Sequence, residues 1–129
     1  MGSELAIIGA GGHATSVCNV AISAGFNVVA FIDDDNQHQT LMGIDILPLR
    51  TIIERSDIDH SDNLYFAIGI GSNFVREEVF SEYQNTFSID RFPALIHPTA
   101  VVSIKTTLGL GTILMPNVAV GPNSHIGNF

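Results

Sequence analysis

The chain has 129 residues, a formal net charge of −8, 46% hydrophobic residues and only 14% charged ones. That balance excludes a polyanion as the main partner, because nucleic-acid binding rests on clustered Lys and Arg, and the five basic residues here are scattered. No apolar run approaches the ~20 residues that span a bilayer, the N-terminus lacks a signal-peptide pattern, and a single cysteine, Cys18, excludes an internal disulfide.

From Glu4 to about Phe92 the chain alternates strand-like and helix-like segments. "ELAIIG" is a short apolar run ending in glycine, as a buried parallel strand would be. From Ala14 to Gly25, residues Val17, Val20, Ala21 and Ala24 recur at helical spacing, and Gly25 is a helix stop. Cys18 sits on the buried face of that helix as a small apolar residue. "NVVAFID" is a second strand, running into Asp33, Asp34 and Asp35. A polar loop over Asn36 to Thr40, a short strand near Ile44 and a helix near Leu49 to Arg55 come next. "NLYFAIGIG" is a further strand; Ser72 then caps a helix with Val75, Val79 and Tyr83 on one face. "FSIDRF" reads as a last strand before Pro93. Strands alternating with helices imply a Rossmann-like α/β domain with a parallel sheet over residues 1–92.

Beyond Pro93 the pattern changes. Ile96, Val102, Leu108, Leu114, Val120 and Ile126 fall at intervals of six, separated by small and turn-forming residues. Neither helical spacing nor strand alternation explains this. Each unit reads as one short strand and one turn with an inward aliphatic residue, the signature of a hexapeptide-repeat parallel β-helix. Residues 93–129 would be its first coils, Ile96 to Ile113 and then Leu114 to Phe129. Two coils leave an open sheet edge, so the chain is expected to be a fragment of a longer protein.

A strand running through Gly9, Gly11 and Gly12 into a helix is a phosphate-binding arrangement, since glycine permits close backbone approach and the helix N-terminus offers free amides. Gly9, Gly11 and Ala14 satisfy G-x-G-x-x-A, with an acidic cluster about 20 residues on. Asp33 and Asp34 end the second strand, where open α/β sheets place ligands, and can accept hydrogen bonds from ribose or a base; Asp35 fits a solvated turn better. Gly71 and Asn73 end the next strand beside the same crevice. His13, on the glycine loop, can donate to a phosphate or sugar oxygen. His97 and His125 sit in repeat turns as surface or packing residues. The histidines at 13, 38, 60, 97 and 125 show no metal-ligand spacing, and no metal is expected.

Taken together, "IIGAGGHA", "FIDDD", "GSNFVR" and "LIHPTAVVS" resemble one family, the hexapeptide-repeat sugar acetyltransferases of bacterial polysaccharide biosynthesis. Its types are the sialic acid O-acetyltransferases and the UDP-4-amino-sugar N-acetyltransferases. The resemblance covers essentially the whole chain. It implies that Gly11, Gly12 and His13 contact a nucleotide sugar, that Asp33 and Asp34 bind its nucleoside portion, and that Gly71 approaches it closely. It further implies a left-handed β-helix that trimerises, acetyl-CoA held between subunits, and a general-base histidine in a later coil. That histidine would lie beyond Phe129, so this chain alone is expected to be catalytically inactive. A UDP-sugar is the preferred ligand, with CMP or GDP sugars or a free sialic acid as alternatives, and the cytoplasm is the expected location.

Two other readings compete. An NAD-binding module accounts for the glycines and the acidic cluster but not for the six-residue repeat. A non-catalytic nucleotide-sugar-binding protein accounts for both.

Overall fold

The computed structural model describes residues 2–59 and 63–129; His60 lies outside them. β1 (Glu4–Ile8) is apolar at four consecutive positions because both of its faces are covered. Leu5 and Ile7 enter one core with α1 (Gly12–Ser23), while Ala6 and Ile8 enter another. α1 begins at Gly12, two residues before the expected Ala14, so His13 lies in its first turn rather than on the preceding loop. Its end at Gly25 is as expected. With Gly25 at φ 98°, Phe26 N–H donates to the Ala21 carbonyl and Gly25 N–H to that of Ile22, which satisfies the last orphan carbonyls.

β2 (Asn27–Ile32) runs parallel to β1 with one bulge, where Leu5 pairs Val28 and Ala6 pairs Ala30. The extra residue, Val29, lets Val28 and Phe31 face the α1 side although they are three apart. β3 (Thr40–Leu41) and β4 (Ile44–Leu47) form an antiparallel hairpin. Only the strand near Ile44 is anticipated from the sequence. The turn needs positive φ at both Met42 (54°) and Gly43 (74°), and methionine gives no sign of that. α2 (Leu49–Asp59), β5 (Tyr65–Ile68) and α3 (Asn73–Tyr83) follow, α3 capped by the Ser72 side chain, which accepts from Val75 N–H at 3.3 Å.

The five-stranded sheet has the order β3-β4-β2-β1-β5, parallel except at β3. The chain leaves β1 on one side for β2 and β4 and returns to its other side with β5. Strand order therefore reverses beside β1, where such sheets open a crevice at their carboxyl edge.

The expected strand at "FSIDRF" is absent. Residues Ile89–Arg91 form a single 3-10 turn instead. The Ser88 hydroxyl accepts from Asp90 N–H at 3.4 Å, and Arg91 N–H donates to the Ser88 carbonyl at 3.0 Å. Serine here offers the backbone a local alternative to a ladder. The apolar residue that suggested a strand, Phe92, is instead buried with Phe66, Phe80, Phe87 and Tyr83.

After Pro93 come β6 (Leu95–Ile96), β7 (Val101–Val102), β8 (Thr107–Leu108), β9 (Ile113–Leu114), β10 (Ala119–Val120) and β11 (His125–Ile126). β6 pairs β9, β7 pairs β10 and β8 pairs β11, all in parallel and all joining residues 18 apart. The turns share a phase as well: Lys105, Gly111, Asn117, Asn123 and Phe129, each six residues after the last, all have φ between 55° and 73°. Inward burial of the six aliphatic residues is partial. Leu114 and Val120 are buried, whereas Ile96 and Val102, their ladder partners, each remain 37% exposed. Leu95, one residue out of that phase, is fully buried in the α1 core.

Candidate functional site

A cleft of about 570 Å³ opens at the carboxyl edge of the sheet, where β1, β2 and β5 end. Its floor is tied together by backbone: Gly9 N–H donates to the Ile32 carbonyl and Gly69 N–H to the Ile8 carbonyl, each at 2.8 Å. Gly69 lets α1 lie close on the sheet, since a Cβ there would stand 2.9 Å from Ala14 Cα. Gly9, at φ 101°, makes the sharp exit from β1. Gly11 and Gly12 are different. A Cβ on either would meet nothing within 4 Å, so the fold itself does not require glycine there, and the bare backbone of the α1 N-terminus faces open space. The first turn of α1 holds no acidic residue, and Gly11 supplies no side-chain cap, leaving the helix N-terminus to an outside acceptor.

Of the residues singled out from the sequence, Gly11, Gly12, His13, Asp33, Asp34 and Gly71 line this cleft. Gly71 lies beside the His13 ring, its hypothetical Cβ 3.6 Å from His13 Cγ. Asn73 is not among the lining residues. Its Oδ1 accepts from Arg76 Nη2 at 2.6 Å, and Arg76 Nη1 donates to the Ile70 carbonyl at 3.1 Å, so Asn73 helps strap the loop that carries Gly71. Asp35 also lines the cleft.

The carboxylates are partly committed to backbone. Asp33 Oδ1 accepts from Asp35 N–H at 3.0 Å, closing a turn, and Asp34 Oδ1 accepts from Leu49 N–H at 2.8 Å, at the start of α2. From α3, Val79, Glu82 and Tyr83 line the cleft, at i, i+3 and i+4 on one helix face. Burial pushes the Tyr83 phenol well above its ordinary range, and the charges of Asp34, Glu82 and Asp33 push it further the same way. Glu82 is the residue that sequence reading misses outright, because a polar residue on a helix ordinarily marks a solvated face. Tyr83 and Val79 are legible only as core positions.

A second cavity, about 290 Å³, lies between His13, Ile68 and Arg76 on one side and Gly111 to Met115, Ile126 and Phe129 on the other. His13 therefore stands in the wall shared by both. His97 and His125 line neither; His97 Nδ1 accepts from Thr99 N–H at 3.1 Å, and His125 bonds Thr107. Among the described residues no helix is long and apolar enough to cross a membrane.

Residues 4–83 match the family model described as the PglD N-terminal domain. The chain is similar to a GDP-perosamine N-acetyltransferase of Escherichia coli O157:H7, 27% identical over 101 residues, which cover 78% of this chain and 43% of that protein. It is also similar to the crystal structure of PerB from Caulobacter crescentus in complex with CoA and GDP-perosamine. There the identity is 28% and the TM-score 0.78, over 97% of this chain and 57% of that one. The acetyltransferase domain of PglB from Neisseria gonorrhoeae gives 26% identity and a TM-score of 0.71, over 98% of this chain and 65% of that one. This chain thus spans about half the length of the curated relative and of PerB. The relatives are sugar acetyltransferases, in line with the resemblance carried by "IIGAGGHA", "FIDDD" and "GSNFVR".

Proposed function

The chain belongs to the PglD N-terminal domain family, and from that premise we propose that it recognises a nucleoside diphosphate linked to an amino sugar, as the substrate-binding part of an acetyl-CoA-dependent N-acetyltransferase. One observation carries this reading: the carboxyl-edge cleft joins an uncapped helix N-terminus, whose Gly11 and Gly12 face open space, to the carboxylates of Asp33 and Asp34. The diphosphate sits on the α1 amides, with His13 donating to a phosphate or sugar oxygen. Asp33 and Asp34 use their remaining lone pairs for the nucleoside. Gly71 leaves room beside His13 for the sugar.

Residues 93–129 are the opening coils of a left-handed β-helix, supported by the 18-residue ladder offset and the turns repeating every six residues. The full protein is a trimer with acetyl-CoA between subunits. There the sugar amine attacks the thioester carbonyl, a histidine outside these residues takes the amine proton, and the C–S bond breaks to release CoA. The 129 residues bind without turning over. The relatives' GDP-perosamine supports a GDP-linked sugar over the UDP-linked sugar expected from the sequence.

Calorimetric titration of the chain with GDP, UDP, CMP and NAD, alongside His13→Ala, tests this. Binding of a nucleoside diphosphate, weakened by the substitution, is expected. Binding of NAD alone, or of none of the four, overturns it, and acetyl transfer by the purified chain overturns the assignment of the base to residues outside it.

A further inference from the structure

We propose that Tyr83 reads the ribose: its phenol hydroxyl donates to a ribose hydroxyl of the bound nucleotide, whose own proton goes to an adjacent carboxylate. This rests on the nucleotide reading above and deepens it, by naming a residue outside the glycine loop and the acidic strand end that decides which ligand is accepted.

Tyr83 is the last residue of α3 and is only 7% exposed. Aromatic neighbours fix its ring, Phe66 edge-on with centroids 6.4 Å apart and Phe87 tilted at 6.2 Å. Its hydroxyl has no hydrogen-bond partner among the described residues, yet no polar side-chain atom among them is both fully buried and unpartnered. This oxygen therefore keeps its access to solvent. Tyr83 lines the carboxyl-edge cleft, and so do Asp34, Glu82 and Asp33, the charges that act on the phenol. The hydroxyl thus opens onto the cleft from an otherwise buried side chain. A ligand seated there displaces solvent from it and must supply an acceptor in exchange, because an orphaned buried hydroxyl is costly. Burial and the nearby carboxylates hold the proton on the phenol, so at neutral pH the group is a donor.

The groups beside it narrow the class of acceptor. Asp33 and Asp34 only accept, and each is held by a backbone N–H, from Asp35 at 3.0 Å and from Leu49 at 2.8 Å. That bond leaves the other oxygen of each for a further donor. A ligand atom set between them and Tyr83 must both donate and accept. A base carbonyl accepts without donating, and a base N–H donates without accepting. A hydroxyl does both through one oxygen. On the nucleoside side of a diphosphate seated on α1, the hydroxyls are those of the ribose, and sheets of this kind place ribose at the acidic end of the second strand. A ligand without them leaves the phenol and the carboxylates unanswered together.

The test is calorimetric titration of the wild-type chain and of Tyr83→Phe with GDP, UDP and the 2′,3′-dideoxy form of each. Phenylalanine keeps the packed ring and removes the hydroxyl alone, so the melting temperature at pH 7 should stay within about 2 °C of wild type. Wild type should bind the ribose form about 10-fold or more tighter than its dideoxy form. Tyr83→Phe should weaken the ribose form about 10-fold and leave the dideoxy form within about 2-fold, narrowing the gap between them. A wild type that binds the two forms alike overturns the ribose contact while the nucleotide reading stands. So does a variant that weakens both forms equally, as a loosened cleft would, or that weakens neither. If neither GDP nor UDP binds wild type, both fail together.

Discussion

Replacing Gly69 with alanine should destabilise the fold by about 2–3 kcal/mol, the upper half of the range for overpacking a full core. A Cβ at this position would stand 2.7 Å from Ile7 Cγ2, 2.9 Å from Ala14 Cα and 3.0 Å from Ala14 Cβ. None of these atoms can swing aside. Ile7 and Ala14 are both fully buried, and the latter two atoms move only if α1 lifts off the sheet, together with Val17, Cys18, Val20 and Ala21 behind it. Gly12→Ala is the matched opposite. Its Cβ would meet nothing within 4 Å, and alanine is the better helix former by up to about 1 kcal/mol, so stability should hold or rise. For a domain of this size, 1 kcal/mol moves the melting temperature by about 3–5 °C. Thermal unfolding followed by circular dichroism should therefore show a drop of about 6–15 °C for Gly69→Ala and none for Gly12→Ala. On the proposed reading, nucleotide titration of the two proteins at a temperature where both are folded should invert that order, because Gly12→Ala adds a methyl at a residue that lines the cleft. A Gly69→Ala melting temperature within about 2 °C of wild type would refute the claim that α1 is seated this tightly.

Lys105 has φ 55° and is exposed, so Lys105→Gly relieves a left-handed conformation that costs a side-chain residue roughly 1 kcal/mol; a rise of about 0.5–1 kcal/mol in unfolding free energy is expected from denaturant titration. Leu95→Ala should cost about 2–5 kcal/mol, because Leu95 is fully buried in the core that α1 builds, and sheet and ladders should unfold in one shared transition. Burial raises the Cys18 thiol, and burial with Asp34, Glu82 and Asp33 raises the Tyr83 phenol. Both groups hold their protons more tightly folded than unfolded, so the stability they confer is intact below about pH 8.5 and falls as pH rises past the unfolded values near 8.5 and 10. Denaturation midpoints between pH 7 and 11 should show that decline, and Tyr83→Phe should flatten its upper part.

How much of this was legible depends on whether a residue's neighbours lie close in sequence. The glycine turn, the helix stop at Gly25, the Ser72 cap and the acidic end of β2 are local, and each is found as expected. "FSIDRF" misleads because its apolar ends answer to an aromatic cluster drawn from β5, α3 and the chain's last residue, with Phe80 and Phe129 rings 4.2 Å apart. The β3–β4 hairpin is hidden because methionine holds a conformation usually signalled by Asn or Gly. Asn73 looks like a ligand residue by its place after β5, yet Arg76, one turn along, occupies it. Glu82 becomes visible only when α3 is laid against the ends of β1 and β2, a juxtaposition no local pattern encodes.

On the proposed reading, a chain of net charge −8 whose cleft is lined by Asp33, Asp34, Asp35 and Glu82 and by no lysine or arginine among the described residues would be an unusual receptor for an anion. The cleft reconciles this by keeping attraction and repulsion at different ranges. The α1 amides and helix dipole act within about one turn and demand an acceptor placed on the Gly11 and Gly12 backbone. The carboxylates act over several ångströms and oppose any anion that does not also supply donors. Inorganic phosphate meets the first condition and fails the second. A lysine in the cleft would strengthen binding to every phosphate alike, whereas bare glycines opposed by carboxylates reward a ligand that bridges both ends. On that reading selectivity comes from the groups left unmatched by a wrong ligand, and the glycine loop and the acidic strand end would work as one device.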